Sequence, residues 1–323
     1  MKLKKVMQLL LALVMVFGMA ACAPKESAET PNVKNTEENK EASNVENTEN
    51  NVVSITFTDR EGIETVLDKV PERVVSISPA ITETLVAVAG IDVLVGRTEF
   101  CDYPAEVLAV DEVGGLYDPN VEKIISLNPD VVLLSAHTNP SVPESLRLAG
   151  VKVIRVYDEG DFEGGYKMVE AIGQIMDKNE EAAAIVAEMQ AKVAEVEAKI
   201  QDLPAKTVYY MSSAGEHGDF AATGDTYIHA MLERAGGINV AQDGVAWAFS
   251  LEALIEADPE VIISSEMSGY AAMLPEMEGY KDLLAVKSGN VIEIDTNPID
   301  RIGVRFADGF EALARAIHPE AFQ

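Results

Sequence analysis

Cysteine is nearly missing from this sequence, with two in 323 residues, Cys22 and Cys101. No framework of disulfides can brace it. Stability must come from a buried core, which about 270 ordered residues supply. Histidine is also scarce, at four scattered residues, which argues against a bare zinc or manganese site needing several convergent nitrogen and oxygen ligands. Positive charge is outweighed, 25 basic residues against 54 acidic for a net charge of -29. A phosphate backbone would be repelled, so nucleic acid is excluded as a partner. Gly-x-Ser-x-Gly, His-Glu-x-x-His, Cys-x-x-Cys and phosphate-loop motifs are all lacking, and with them the usual nucleophiles and metals of an enzyme. A binding protein is expected.

Only one stretch is strongly apolar. Lys2, Lys4 and Lys5 precede a run from Val6 to Phe17, followed by Met19-Ala20-Ala21-Cys22. The run is shorter than the roughly 18 to 20 residues that cross a bilayer, and its flanks are those of a signal peptide. Residues 1–21 are therefore expected to be a lipoprotein signal, with Cys22 the lipid-attachment site. From 22 to 51 the chain is rich in Glu, Asn and Thr and poor in large apolar residues. Such a segment cannot offset its ordering entropy and reads as a tether outside the cell membrane.

Beyond the tether, short apolar runs such as Val74–Ile77 and Val131–Leu134 alternate with segments of helical period. A second series follows with Thr207–Met211, Val261–Ile263 and Val291–Ile294. Apolar strands interleaved with helices imply parallel sheets covered on both faces. Between the series, Ile185, Met189, Val193, Val196 and Ile200 lie four, four, three and four apart. That stripe predicts one helix over Asn179–Gln201, roughly 35 Å long.

The two series echo each other. Val121-Glu122-Lys123-Ile124 through Asn128-Pro129-Asp130-Val131 matches Leu251-Glu252-Ala253-Leu254 through Asp258-Pro259-Glu260-Val261 at an offset of 130. Ala89-Gly90-Ile91 and Ala235-Gly236-Gly237-Ile238 form a looser pair, with Gly closing a helix before a strand. The expected fold is α/β, with two Rossmann-like lobes joined by one long rigid helix and a ligand cleft between them. The expected divisions are an N-terminal lobe over 52–162, a helical connector over 163–203 and a C-terminal lobe over 204–323.

Four segments carry a family resemblance: Arg73-Val74-Val75-Ser76-Ile77-Ser78-Pro79; Val95-Gly96-Arg97-Thr98 with Cys101-Asp102-Tyr103-Pro104; the paired Glu-to-Pro elements; and Arg301-Ile302-Gly303-Val304-Arg305. Together they resemble the siderophore, haem and cobalamin class of ABC-importer substrate-binding proteins. The resemblance implies a monomeric receptor that hands a metal chelate to a permease dimer with its ATPase subunits. It also implies that Glu122 and Glu252 dock against permease arginines.

Parallel sheets bind ligands outside the carboxyl ends of their strands. The expected cleft loops hold Ser78-Pro79, Tyr103, Tyr117, His137, His217, Phe220, Trp247, Met267 and Arg301. Trp247 could equally pack in the core. Arg301 points to an anionic chelate, hence an iron complex such as a ferric siderophore or haem, with cobalamin the alternative. No permanent cofactor is expected. If the ligand is haem, His137 or His217 with Tyr103 would be the axial pair. Arg305 would pair with Asp308 or Glu311, and His229 would face solvent.

Overall fold

The computed structural model describes residues 54–156, 160–215 and 218–323. The assignments of Cys22 and His217 fall outside them. All described elements belong to one unit, residues 51–323.

The chain enters through an antiparallel hairpin, β1 (Ile55–Thr58) and β2 (Glu64–Leu67), with alternate residues buried. This is the period of a sheet covered on one face. The N-terminal lobe then runs β3 (Val74–Ile77), α1 (Pro79–Ala89), β4 (Leu94–Arg97), α2 (Val121–Ser126), β5 (Val131–Leu134), α3 (Ser141–Leu148) and β6 (Val153–Arg155). Its strands are parallel in the order β4-β3-β5-β6. Two helices follow, α4 (Phe162–Ile175) and α5 (Asn179–Ile200).

The C-terminal lobe comprises β7 (Lys206–Ser213), β8 (Phe220–Ala221), α6 (Tyr227–Arg234), β9 (Gly237–Asn239), α7 (Leu251–Ala257) and β10 (Val261–Ser265). It ends with α8 (Tyr270–Met273), α9 (Leu284–Ser288), β11 (Val291–Ile294), α10 (Asn297–Asp300) and α11 (Phe306–Ile317). β9 and β10 pair in parallel with β7, and β11 pairs in parallel with β10. The order β9-β7-β10-β11 thus repeats that of the first lobe. The short β8 adds antiparallel to β7.

The internal repeat is physical as well as textual. Asn128 and Asp258 both adopt positive φ, at 47° and 38°, a conformation that Asn and Asp tolerate better than most residues. Two residues on, the Asp130 carboxylate accepts from Glu72 N and Arg73 N, and the Glu260 carboxylate accepts from Thr207 N. Each acidic side chain pins its turn to the start of the neighbouring strand, setting the registers Val74 to Val131 and Val208 to Val261.

Strand alternation divides the core. Val74, Val131, Leu133, Val208, Tyr210, Val261 and Ile263 share one cluster with α4, α5 and α11. Val75, Val132 and Leu134 turn to a second cluster, and Tyr209, Met211 and Ile262 to a third. The largest cluster is therefore common to both lobes. On α5 the buried stripe is Ala182, Val186, Met189, Val193, Val196 and Ile200. Ile185, expected within it, is half-buried, because Val186 takes the inward position. The connector does not bridge the lobes alone: it packs on α4 and α11, which braces the lobes.

Candidate functional site

The carboxyl ends of β3, β4 and β5 open on a cavity of about 450 Å³. β3 stops at Ile77, Ser78 is extended, and Pro79 occupies the first turn of α1, where its missing N–H costs nothing. From this lobe the cavity is lined by Ser78, Pro79, Phe100, Leu116, Ser135 and His137. The other lobe supplies Tyr227, Trp247, Asp300, Arg301 and Ile302, and α4 contributes Met168. The cleft lies between the lobes, with rigid aromatic surfaces suited to a flat ligand.

Two loops hold its aromatic walls. Cys101 is buried, its Sγ 3.1 Å from both Thr82 Oγ1 and Thr98 Oγ1; it is a fixed packing residue that holds the loop presenting Phe100. Opposite, Ala246 and Trp247 both have positive φ, at 53° and 68°, rare for residues with a Cβ and costing about 1–3 kcal/mol each. The strain is held by hydrogen bonds, from Ala246 N to Asp225 Oδ2 at 2.9 Å and from Trp247 N to Thr223 Oγ1 at 3.1 Å. The indole both packs on the shared core and lines the cleft, so the two roles left open for Trp247 are not exclusive.

Arg301 lines the cleft with its charge already engaged. Its guanidinium donates to Glu83 Oε1 at 2.9 Å and to Asp102 at 2.5 Å. Arg305 forms a fork on the same Glu83, at 2.7 and 2.9 Å, and lies 3.9 Å above the Tyr103 ring. Arg305 therefore does not pair with Asp308 or Glu311, whose partners are Lys192 and Arg315. Glu83 is buried in α1, so two guanidiniums compensate a desolvated carboxylate and clasp the C-terminal lobe to α1. Gly303 makes the approach possible: a Cβ there would meet Thr84 Oγ1 at 2.9 Å and Ala80 O at 3.1 Å. The hydrogen bond from Arg301 holds the Asp102 carboxyl below the usual range. Burial pushes Asp300, on the cleft wall, upward.

Of the other expected residues, Tyr117 lines an adjoining cavity with His137. Tyr103 lies beneath Arg305, and neither it, Phe220 nor Met267 lines the cleft. An axial pairing of His137 with Tyr103 gains no support from this placement, and no group of three metal-ligating side chains occurs among the described residues. His229 is half-buried, its Nδ1 3.3 Å from Asn239 Nδ2, rather than facing solvent. His318 is wholly buried beside Gly236 O. Phe100, Met168 and Tyr227 line the cleft beyond the expected set: Phe100 follows a strand end, a usable signal, whereas Met168 and Tyr227 read as ordinary helix positions.

Glu122 and Glu252 sit in matched settings. Each is the exposed second residue of its helix, followed by a half-buried and then a buried position. Each helix is capped by a side chain accepting a backbone N–H, Asn120 from Lys123 and Ser250 from Ala253.

Residues 74–298 match the family model described as Periplasmic binding protein. The chain is 30% identical over 280 residues to an uncharacterized ABC transporter substrate-binding lipoprotein of Bacillus subtilis, covering 84% of this chain and 88% of that one. It is 27% identical to a cobalamin-binding protein of Halobacterium salinarum, over 82% of this chain and 74% of the relative. A solved periplasmic heme-binding protein from Roseiflexus superposes with a TM-score of 0.71 at 23% identity, over 77% of this chain and 99% of that one. The protein belongs to the periplasmic binding protein family. It is an extracytoplasmic substrate-binding protein of the ABC-transporter class, and it binds rather than transforms its ligand.

Proposed function

We propose that this chain is the lipid-anchored receptor of an ABC importer that captures a metal tetrapyrrole, a corrinoid in first place. The observation that carries the reading is the engagement of Arg301, the one lysine or arginine among the described residues that line the cleft, by Glu83 and Asp102. A cation so neutralised gives no preference for an anionic chelate, which removes the ground for expecting a ferric siderophore. What remains is a cleft of aromatic faces, Phe100, Tyr227 and Trp247, with hydroxyls at Ser78 and Ser135. That surface suits a broad, net-neutral ring carrying amide side chains. The cobalamin-binding relative in Halobacterium is in keeping with it. Haem is the second reading, favoured by His137 on the cleft wall.

Glu122 and Glu252, one in each lobe, would meet basic residues of a two-fold permease. Native mass spectrometry of the mature protein with cobalamin, haem and ferric siderophores tests the ligand. A one-to-one cobalamin complex is expected, and exclusive retention of a siderophore would overturn the reading.

A further inference from the structure

The helix α10 ends on the cleft wall at Asp300, which is exposed. Its backbone is firmly seated. Pro298 and Ile299 are buried, and Ile299 O accepts a 2.7 Å hydrogen bond from the hydroxyl of Tyr227, itself on that wall. Gly309 of α11 lets the two helices meet, since a Cβ there would come within 2.9 Å of the Pro298 carbonyl carbon. Asp300 is therefore presented to the cleft from a fixed element.

Asp300 is the one carboxylate among the described residues that line the cleft. Its setting differs from that of Glu83 and Asp102, which share the guanidiniums of Arg301 and Arg305, two charges against two. Among the described residues Asp300 joins no ion pair, and its carboxylate accepts a single long hydrogen bond, 3.5 Å from the Tyr210 hydroxyl. The protein packed around it pushes its carboxyl above the usual 3.8, against the smaller pull of Thr296, Tyr210 and Arg301. The fold thus carries a carboxylate short of donors at a point that a ligand can reach. A ligand N–H would supply a donor, whereas a ligand carboxylate would set a second negative charge against the first.

We propose that Asp300 is a specificity residue of the cleft, accepting an N–H from an amide on the edge of the captured ligand and turning away ligands that bear carboxylates there. The inference rests on the corrinoid reading, because a corrin ring is edged with primary amides whereas haem carries two propionates.

The test is titration of the mature protein with cobalamin and with haem, in the wild type, Asp300→Asn and Asp300→Ala. Asn keeps the shape and removes the charge. Asp300→Asn is expected to weaken cobalamin about tenfold, the worth of a hydrogen bond to a charged group, and to tighten haem, so that the preference for cobalamin narrows by more than tenfold. Asp300→Ala should narrow it to a similar degree. The ligand-free melting temperature of Asp300→Asn at pH 7 should not fall below that of the wild type, because a carboxyl raised in the folded state contributes stability only while it is protonated, at acidic pH. A purely structural role predicts the reverse, a lower melting temperature and equal weakening of both ligands. A cobalamin-to-haem affinity ratio in both variants equal to or wider than that of the wild type overturns the role of Asp300 and leaves the corrinoid reading standing. A wild type that does not bind cobalamin overturns both.

Discussion

At Trp247 the backbone is held where residues with a side chain rarely go, and Asp225 is what holds it there. Asp225→Ala should release Ala246 N and let the loop relax. Ligand affinity is expected to fall by about tenfold, the worth of one hydrogen bond to a charged group, with little loss of melting temperature because relieved strain offsets the lost bond. Titration and thermal melting of the same variant check both. Asp102 makes a pH-dependent prediction. Its carboxyl is held below the usual 3.8 by Arg301, so its contribution is complete above that value and is lost as pH falls through the depressed one. The melting-temperature deficit of Asp102→Asn should be full at pH 7 and shrink progressively below 3.8. At this scale the sequence was only partly legible. Its order marks which loops follow strand ends, which brought out Ser78, His137, Trp247 and Arg301. It does not mark which way a side chain turns: Tyr103, expected in the cleft, stacks beneath Arg305, and Phe100 takes the place on the cleft wall.

Among the elements, α5 shows how a stripe becomes structure. Met189 is buried between the lobes' shared core and its own helix. Met189→Ala should cost about 2–5 kcal/mol, whereas the exposed Glu188→Ala should stay within about 0.5 kcal/mol; denaturant melts distinguish them. The helix was readable because its apolar positions recur at three and four residues over six turns. The parallel strands were readable as apolar runs for the corresponding reason, burial on both faces. β1 and β2 are less so, since each is only four residues long, the shortest run in which alternate burial can show as a pattern. β8, two residues long, has no period to detect.

For the whole molecule, two lobes of equal strand order share one core and are clasped again by Glu83, Arg301 and Arg305. Such a body favours small changes of angle on binding over wide closure. It also carries a matched, exposed carboxylate on each half. Replacing Glu122 and Glu252 together with Ala is expected to leave ligand affinity unchanged and to reduce uptake by at least tenfold in cells supplied with the variant. The duplication was legible because the turns that set each central strand require Asn or Asp at positive φ and an acidic residue two further on. The ligand was not, because the state of Arg301 depends on residues about 200 positions away in sequence, Glu83 and Asp102.

The most direct measurement is the melting temperature of the mature protein with cobalamin, haem or a ferric siderophore, all at one concentration, about a hundred times the dissociation constant found for cobalamin by titration. A ligand that binds only the folded state then adds about 2.7 kcal/mol. Cobalamin should raise the midpoint by several degrees and a ferric siderophore should leave it unmoved. A rise with the siderophore and none with cobalamin would contradict the account.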